Sequence, residues 1–102
     1  MVWRQLGTWS GRGNSQTGSF TVETGALRLR WEARNESPAG SGRLRVTLHS
    51  AISGRLLQVI VDHQGVGQGL TPLESEPRVS YLVVESQSVD WSIVVEETAS
   101  GR

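Results

Sequence analysis

Cysteine is absent from the 102 residues, and so is lysine; methionine, phenylalanine and tyrosine occur once each, and proline three times. Without cysteine there is no disulfide framework, no thiolate zinc site and no cysteine nucleophile. The compartment stays open, because reducing and oxidising environments both permit a cysteine-free domain. No apolar run approaches the ~18 residues of a membrane-spanning helix, so no membrane span is expected. The opening MVWRQLG has no apolar signal-peptide core. Helix-period patterning, internal repeats and low-complexity runs are missing as well.

Hydrophobic residues make up 36% of the chain and charged residues 20%, with a formal net charge of zero. That is too apolar and too neutral for a disordered tail. The length fits one domain, residues 1–102, with one hydrophobic core. Twelve glycines fall largely between apolar runs and mark turns.

The organising stretch is Arg78–Glu97, RVSYLVVESQSVDWSIVVEE. Val79, Tyr81 and Val83 share one face of its first run, and Trp91, Ile93 and Val95 one face of its second. Such alternation in β-branched and aromatic residues predicts strands. The short polar break Glu85–Asp90 predicts that they pair as a hairpin. Upstream, Val2–Ser10 reads as a first strand, Gly11–Gly18 as a loop and Ser19–Glu23 as a short strand. Leu27–Arg34 and Arg43–Ser50 alternate cleanly, with arginines on the polar side. They are expected to pair so that Trp31 faces Val46, Leu29 faces Leu48 and Glu32 faces Arg45. Arg55–His63 is apolar on both sides and reads as a central strand, followed by a long loop, Gln64–Pro77. The expected fold is all-β: a single antiparallel β-sandwich, Ig-like or jelly-roll-like, of about seven to nine strands. Leu29, Trp31, Val46, Leu48, Val83, Trp91 and Ile93 are its expected core.

Charge is unevenly placed. Residues 1–51 carry seven Arg and three Glu, net +4; residues 52–102 carry three Arg and seven Asp or Glu, net −4. Arg28, Arg30, Arg34, Arg43 and Arg45 are expected on one outer face, suited to an acidic protein partner or to self-association. Zero net charge, Glu32 within the patch and no outward aromatic on these strands argue against nucleic acid. Trp3 and Trp9 lie an even number of residues apart. In a regular strand they share a face, as a carbohydrate-binding platform would require.

Other candidates are less supported. Gly65-Val66-Gly67-Gln68-Gly69 lacks the following helix start of a dinucleotide loop. Asp62 and His63 are strand neighbours and point apart, so no catalytic residue is assigned. Asp62, Glu74 and Glu76 lack EF-hand spacing. No metal site and no cofactor are expected. Asn35-Glu36-Ser37 matches the glycosylation pattern but is followed by Pro38.

Trp9-Ser10-Gly11-Arg12-Gly13, with Thr17 and Phe20, resembles the opening of small bacterial β-sandwich domains. Tyr81-Leu82-Val83-Val84, followed by Trp91-Ser92-Ile93-Val94-Val95, resembles their closing strands. These domains are similar to the pre-peptidase C-terminal and carbohydrate-binding-like accessory modules of secreted proteins. The resemblance implies a β-sandwich, often extracytoplasmic, and supplies no catalytic residue. The expected function is a non-catalytic binding or interaction module. The alternative is a carbohydrate-binding accessory domain of a secreted bacterial protein. The candidate binding residues are Trp3, Trp9, Arg28, Arg30, Arg43 and Arg45.

Overall fold

The computed structural model describes residues 2–23, 25–75 and 77–98. They form nine strands and no helix: β1 (Trp3–Arg12), β2 (Ser15–Gln16), β3 (Phe20–Val22), β4 (Ala26–Arg34), β5 (Arg43–Ser50), β6 (Leu56–Gln64), β7 (Gly67–Glu74), β8 (Arg78–Gln87) and β9 (Asp90–Thr98). No helix among the described residues is long and apolar enough to cross a membrane. Glu76 lies outside the described residues.

All pairing is antiparallel and falls into two sheets. Sheet A runs β1-β9-β4-β7; sheet B runs β2-β8-β5-β6, with β3 also on β8. The first strand therefore pairs with the last, β2 and β3 with β8, β4 with β7, and β5 with β6. A chain doubled back on itself and then wound into two sheets in this order is a jelly roll, a double-sheet sandwich. Leu27, Leu29, Trp91, Ile93 and Val95 from sheet A meet Leu44, Val46, Leu48, Leu82 and Val84 from sheet B in one buried core.

This winding corrects two expected hairpins. β8 and β9 do not pair: they lie in different sheets and are joined by a corner at Ser88–Val89. Val89 within that polar break is fully buried, plugging the end of the sandwich over Gly42. β4 and β5 do not pair either. Trp31 lies opposite Ile93 and Gly69 rather than Val46, and Leu29 opposite Val95 and Thr71 rather than Leu48. Alternation fixes which face of a strand is apolar, not which strand is its neighbour. The loop Asn35–Gly42 arches between the sheets instead of turning back within one.

Phase on β8 is corrected too. Ser80, Leu82 and Val84 point inward, whereas Val79, Tyr81 and Val83 lie on the outer face of sheet B. Both phases of this run are apolar, so periodicity alone selects neither. Trp31 packs on the core but stays half-buried.

β6 is an edge strand rather than a central one. Its register slips opposite Val46/Thr47 and again opposite Leu48/His49. These bulges turn Leu57, Ile60 and Val61 onto the core and leave Leu56 and Val59 exposed. The expected loop 64–77 contains β7 instead. Pro72 is tolerated there because β7 is the edge of sheet A. Gly67 and Gly69 are strand residues beneath rings: a Cβ at Gly69 would lie 2.8 Å from Trp31 Nε1, and one at Gly67 2.7 Å from His63 Nε2.

Gly25 holds the approach to β4 with φ near +86°, its carbonyl accepting the Ser75 N–H at 2.9 Å. A Cβ there would sit 2.6 Å from the Ser75 carbonyl oxygen. Gly25→Ala is expected to destabilise by about 1–3 kcal/mol through left-handed strain plus that clash. Urea unfolding of the variant measures this, and a midpoint equal to the parent's would contradict the assigned backbone.

Candidate functional site

Trp3 and Trp9 do not form one platform. On β1, Gln5 lies opposite Glu96 but Gly7 lies opposite Val95, leaving Leu6 as an extra residue. A bulge of one residue reverses the side-chain phase. Trp3 therefore faces out from sheet A, whereas Trp9, opposite Ile93, faces in and lies 5.9 Å from the Phe20 ring. The guanidinium of Arg28 sits 4.1 Å above the Trp3 ring, a cation–π contact. Arg28 Nε also donates to Glu96 at 2.7 Å, and Arg30 Nε lies 3.3 Å from the same carboxylate. Arg28 is thereby committed to partners on its own sheet, whereas Arg30, more than half exposed, has only the 3.3 Å ion pair among the described residues.

The expected five-arginine face is split between opposite sides of the sandwich. Arg28, Arg30 and Arg34 stand on β4 of sheet A; Arg43 and Arg45 stand on β5 of sheet B. The opposed charges of the two halves also meet within the molecule. Six ion pairs join a first-half arginine to a second-half acid: Arg4–Glu97, Arg12–Asp90, Arg28–Glu96, Arg30–Glu96, Arg43–Asp62 and Arg45–Glu85. Jelly-roll pairing causes this, because it sets early strands beside late ones. The opposed charges of the two halves are thereby interleaved rather than set on separate surfaces.

Two of the acids are structural. Glu97 points inward with no exposed surface, accepting from Arg4 Nη2 at 2.6 Å and from the Glu23 N–H at 3.0 Å. Asp90 accepts from Asn35 Nδ2 at 2.7 Å and Arg12 Nη1 at 3.0 Å. The Asn35 hydrogen bond first, and Arg12 second, hold its carboxyl below the usual aspartate range. A depressed folded pKa stabilises above the unfolded value, and that contribution is lost as pH falls through the folded one. Carboxyl-detected NMR titration is expected to place the Asp90 midpoint below the ordinary aspartate range. A midpoint near 3.9, the ordinary value for aspartate, would contradict it.

Sheet B presents a second outer face. Its register sets side chains in rows across the outer face: Gln87, Arg43 and Gln64; then Glu85, Arg45 and Asp62; then Val83, Thr47 and Val59; then Tyr81, His49 and Leu56. Charged rows thus give way to apolar and aromatic ones. Tyr81 stacks on His49 with centroids 5.3 Å apart. The imidazole is held by Gly54 O at 3.1 Å from Nδ1 and by Thr47 Oγ1 at 3.0 Å from Nε2. A carbonyl can only accept, so Nδ1 carries the proton.

Arg43 and Arg45 are loosely held. Arg43 Nη2 lies 3.4 Å from Asp62 Oδ1, and Arg45 Nε lies 3.9 Å from Glu85 Oε1. Charge-assisted N–H···O bonds close to about 2.7–2.9 Å. Arg45 Nε is buried, and among the described residues nothing accepts a hydrogen bond from it. The two side chains line a cleft of about 380 Å³ with Asn14, Glu85, Ser86 and Gln87. Asn14 is pinned by the Ser86 N–H donating to its Oδ1 at 2.9 Å.

The remaining candidates are dispersed. Asp62 stands opposite Arg45 on sheet B, Glu74 ends β7 on sheet A, and Glu76 is outside the described residues. Among the described residues no three His, Asp or Glu side chains group as metal ligands. His63 faces inward against Trp31 at 4.8 Å, while Asp62 and His49 lie on the outer face. Sequence reasoning found Arg43 and Arg45 but missed Asn14 beside them and the Val83 and Tyr81 rows further along the same face. The row pattern arises from long-range register, which one strand's periodicity does not carry. No protein-family model and no curated protein matches the chain.

Proposed function

We propose that this protein is a non-catalytic interaction module that presents the outer face of sheet B to a protein partner. One observation carries the reading: two loosely paired guanidiniums stand beside a row-ordered aliphatic and aromatic surface on the same face. Apolar contacts ringed by polar groups are the usual anatomy of a protein interface, and arginine and tyrosine are enriched at its energetic centre. Val79, Leu56 and Val59 keep 38–46% of their surface exposed around the stacked Tyr81. On sheet A, by contrast, Arg28 is held on both sides, by Glu96 at 2.7 Å and by the Trp3 ring.

Affinity capture with the full chain tests this face. Val83→Asp is expected to abolish capture of its partner, while Thr8→Asp, on the outer face of sheet A, leaves it intact. The opposite pattern would place binding on sheet A.

The carbohydrate-binding alternative keeps one supporting observation. Trp3 is the outward-facing indole of β1 and borders an open, largely apolar groove lined by Ala26, Leu27, Pro72, Leu73, Glu74 and Thr98. Fluorescence titration with soluble polysaccharides tests it. A spectral change lost in Trp3→Ala but kept in Val83→Asp would favour this reading over the first.

A further inference from the structure

We infer that the Arg43–Arg45 cleft of sheet B is a carboxylate-binding site, and that its ligand is an extended acidic peptide segment of a partner protein. The inference rests on sheet B being the binding face and names the chemistry that face recognises. Arg45 lines the cleft with about a third of its side chain exposed, and its carboxylate neighbour Glu85 stands 3.9 Å from Nε. That is well outside the roughly 2.7–2.9 Å of a closed charge-assisted hydrogen bond, so its guanidinium is open to a better-placed carboxylate. Arg43 adds a second guanidinium, held only at 3.4 Å by Asp62. Asn14, with its Oδ1 engaged by Ser86, offers its amide N–H groups at the same cleft. A planar carboxylate suits the fork geometry of guanidinium donors.

Charge sets the limit on the ligand. Glu85 lines the cleft and Asp62 flanks it, so two positive groups face two negative ones. A single carboxylate is accommodated by displacing loose contacts at 3.4 and 3.9 Å. A chain of phosphates would meet both acids and is disfavoured.

Row spacing favours a peptide. Successive outward rows on a strand are two residues apart, about 6.6 Å. An extended peptide has the same two-residue repeat. With its acidic side chain at the Arg45 row, residues i+2 and i+4 reach the Val83–Thr47–Val59 and Tyr81–His49–Leu56 rows. The expected pattern is therefore acidic–x–apolar–x–apolar.

The test is two-dimensional NMR of the full chain titrated with a capped peptide, Glu-Thr-Val-Thr-Leu-Thr. The same peptide with Gln for Glu, and trigalacturonate as a non-peptide carboxylate, complete the arms. Shifts are expected at Arg43, Arg45, Thr47 and Val83, with affinity at least tenfold weaker for the Gln peptide and for Arg45→Ala. Arg45→Gln, which keeps more of the side chain's bulk, is expected to lose as much, and melting curves verify that both variants fold. Equal binding of the Glu and Gln peptides would overturn the carboxylate site yet leave sheet B as the binding face. Shifts confined to sheet A would overturn both readings. Binding of trigalacturonate without the peptide, or no shifts with any ligand at millimolar concentration, would overturn the peptide assignment.

Discussion

Trp91→Ala is expected to destabilise the fold by about 3–5 kcal/mol, the range for emptying a large buried aromatic site. Trp91 is 2% exposed, and its neighbours across the sheet are Gly11 on β1 and Ala33 on β4. Those small residues make room for the indole: a Cβ at Gly11 would already lie 3.2 Å from Trp91 Cζ2. The ring also donates from Nε1 to the Gly13 carbonyl at 2.9 Å, tying the β1–β2 loop to the core. Alanine removes that bond and leaves a void that the flanking β1 and β4 backbones hold open. Equilibrium urea unfolding measures the loss. A variant within about 1 kcal/mol of the parent would place Trp91 outside the core.

The second large effect separates two adjacent residues. Leu82 is fully buried on β8, opposite Leu48, and its N–H donates to Thr17 Oγ1 at 3.0 Å. Leu82→Ala is expected to cost about 2–5 kcal/mol. Val83 lies on the outer face, so Val83→Ala is expected to cost about 1 kcal/mol or less. The reverse order would mean that β8 is turned the other way, with Tyr81 in the core and the proposed binding face dissolved.

Local features of the fold were legible because they depend on local chemistry. Alternation located β4 and β5 to within a residue, and it set Leu29, Leu44, Val46 and Leu48 inward. Trp91, Ile93 and Val95 were readable because the other phase of β9 is polar or half-exposed. What failed was non-local. Neighbour choice depends on how loops cross between sheets, and Val89 in a polar break is the residue that makes the β8–β9 corner. Bulges are hidden for the same reason. Leu6 interrupts β1 beside Gly7, a glycine within a strand being the one local sign of a bulge, and this single extra residue separates the faces of Trp3 and Trp9.

The candidate site divides along that line. Arg43 and Arg45 were identified as outward-facing from their own strand. Their separation from Arg28 and Arg30 required the sheet assignment of β4 and β5. The looseness of their ion pairs required distances. β7 was misread because glycine and proline usually signal a loop. Here Gly67 and Gly69 lie under His63 and Trp31, and Pro72 sits on an edge.

The proposed binding face requires β8 and β9 to lie in different sheets, with β5 between β8 and β6. Interstrand backbone NOEs on isotope-labelled protein test this most directly. The predicted contacts join Trp91 to Gly11 and Ala33, Ile93 to Trp9 and Trp31, and Val83 to Gln16 and Thr47. Backbone NOEs linking β8 to β9 in a hairpin register, or Trp31 to Val46, would contradict the jelly-roll winding and return all five arginines to one face.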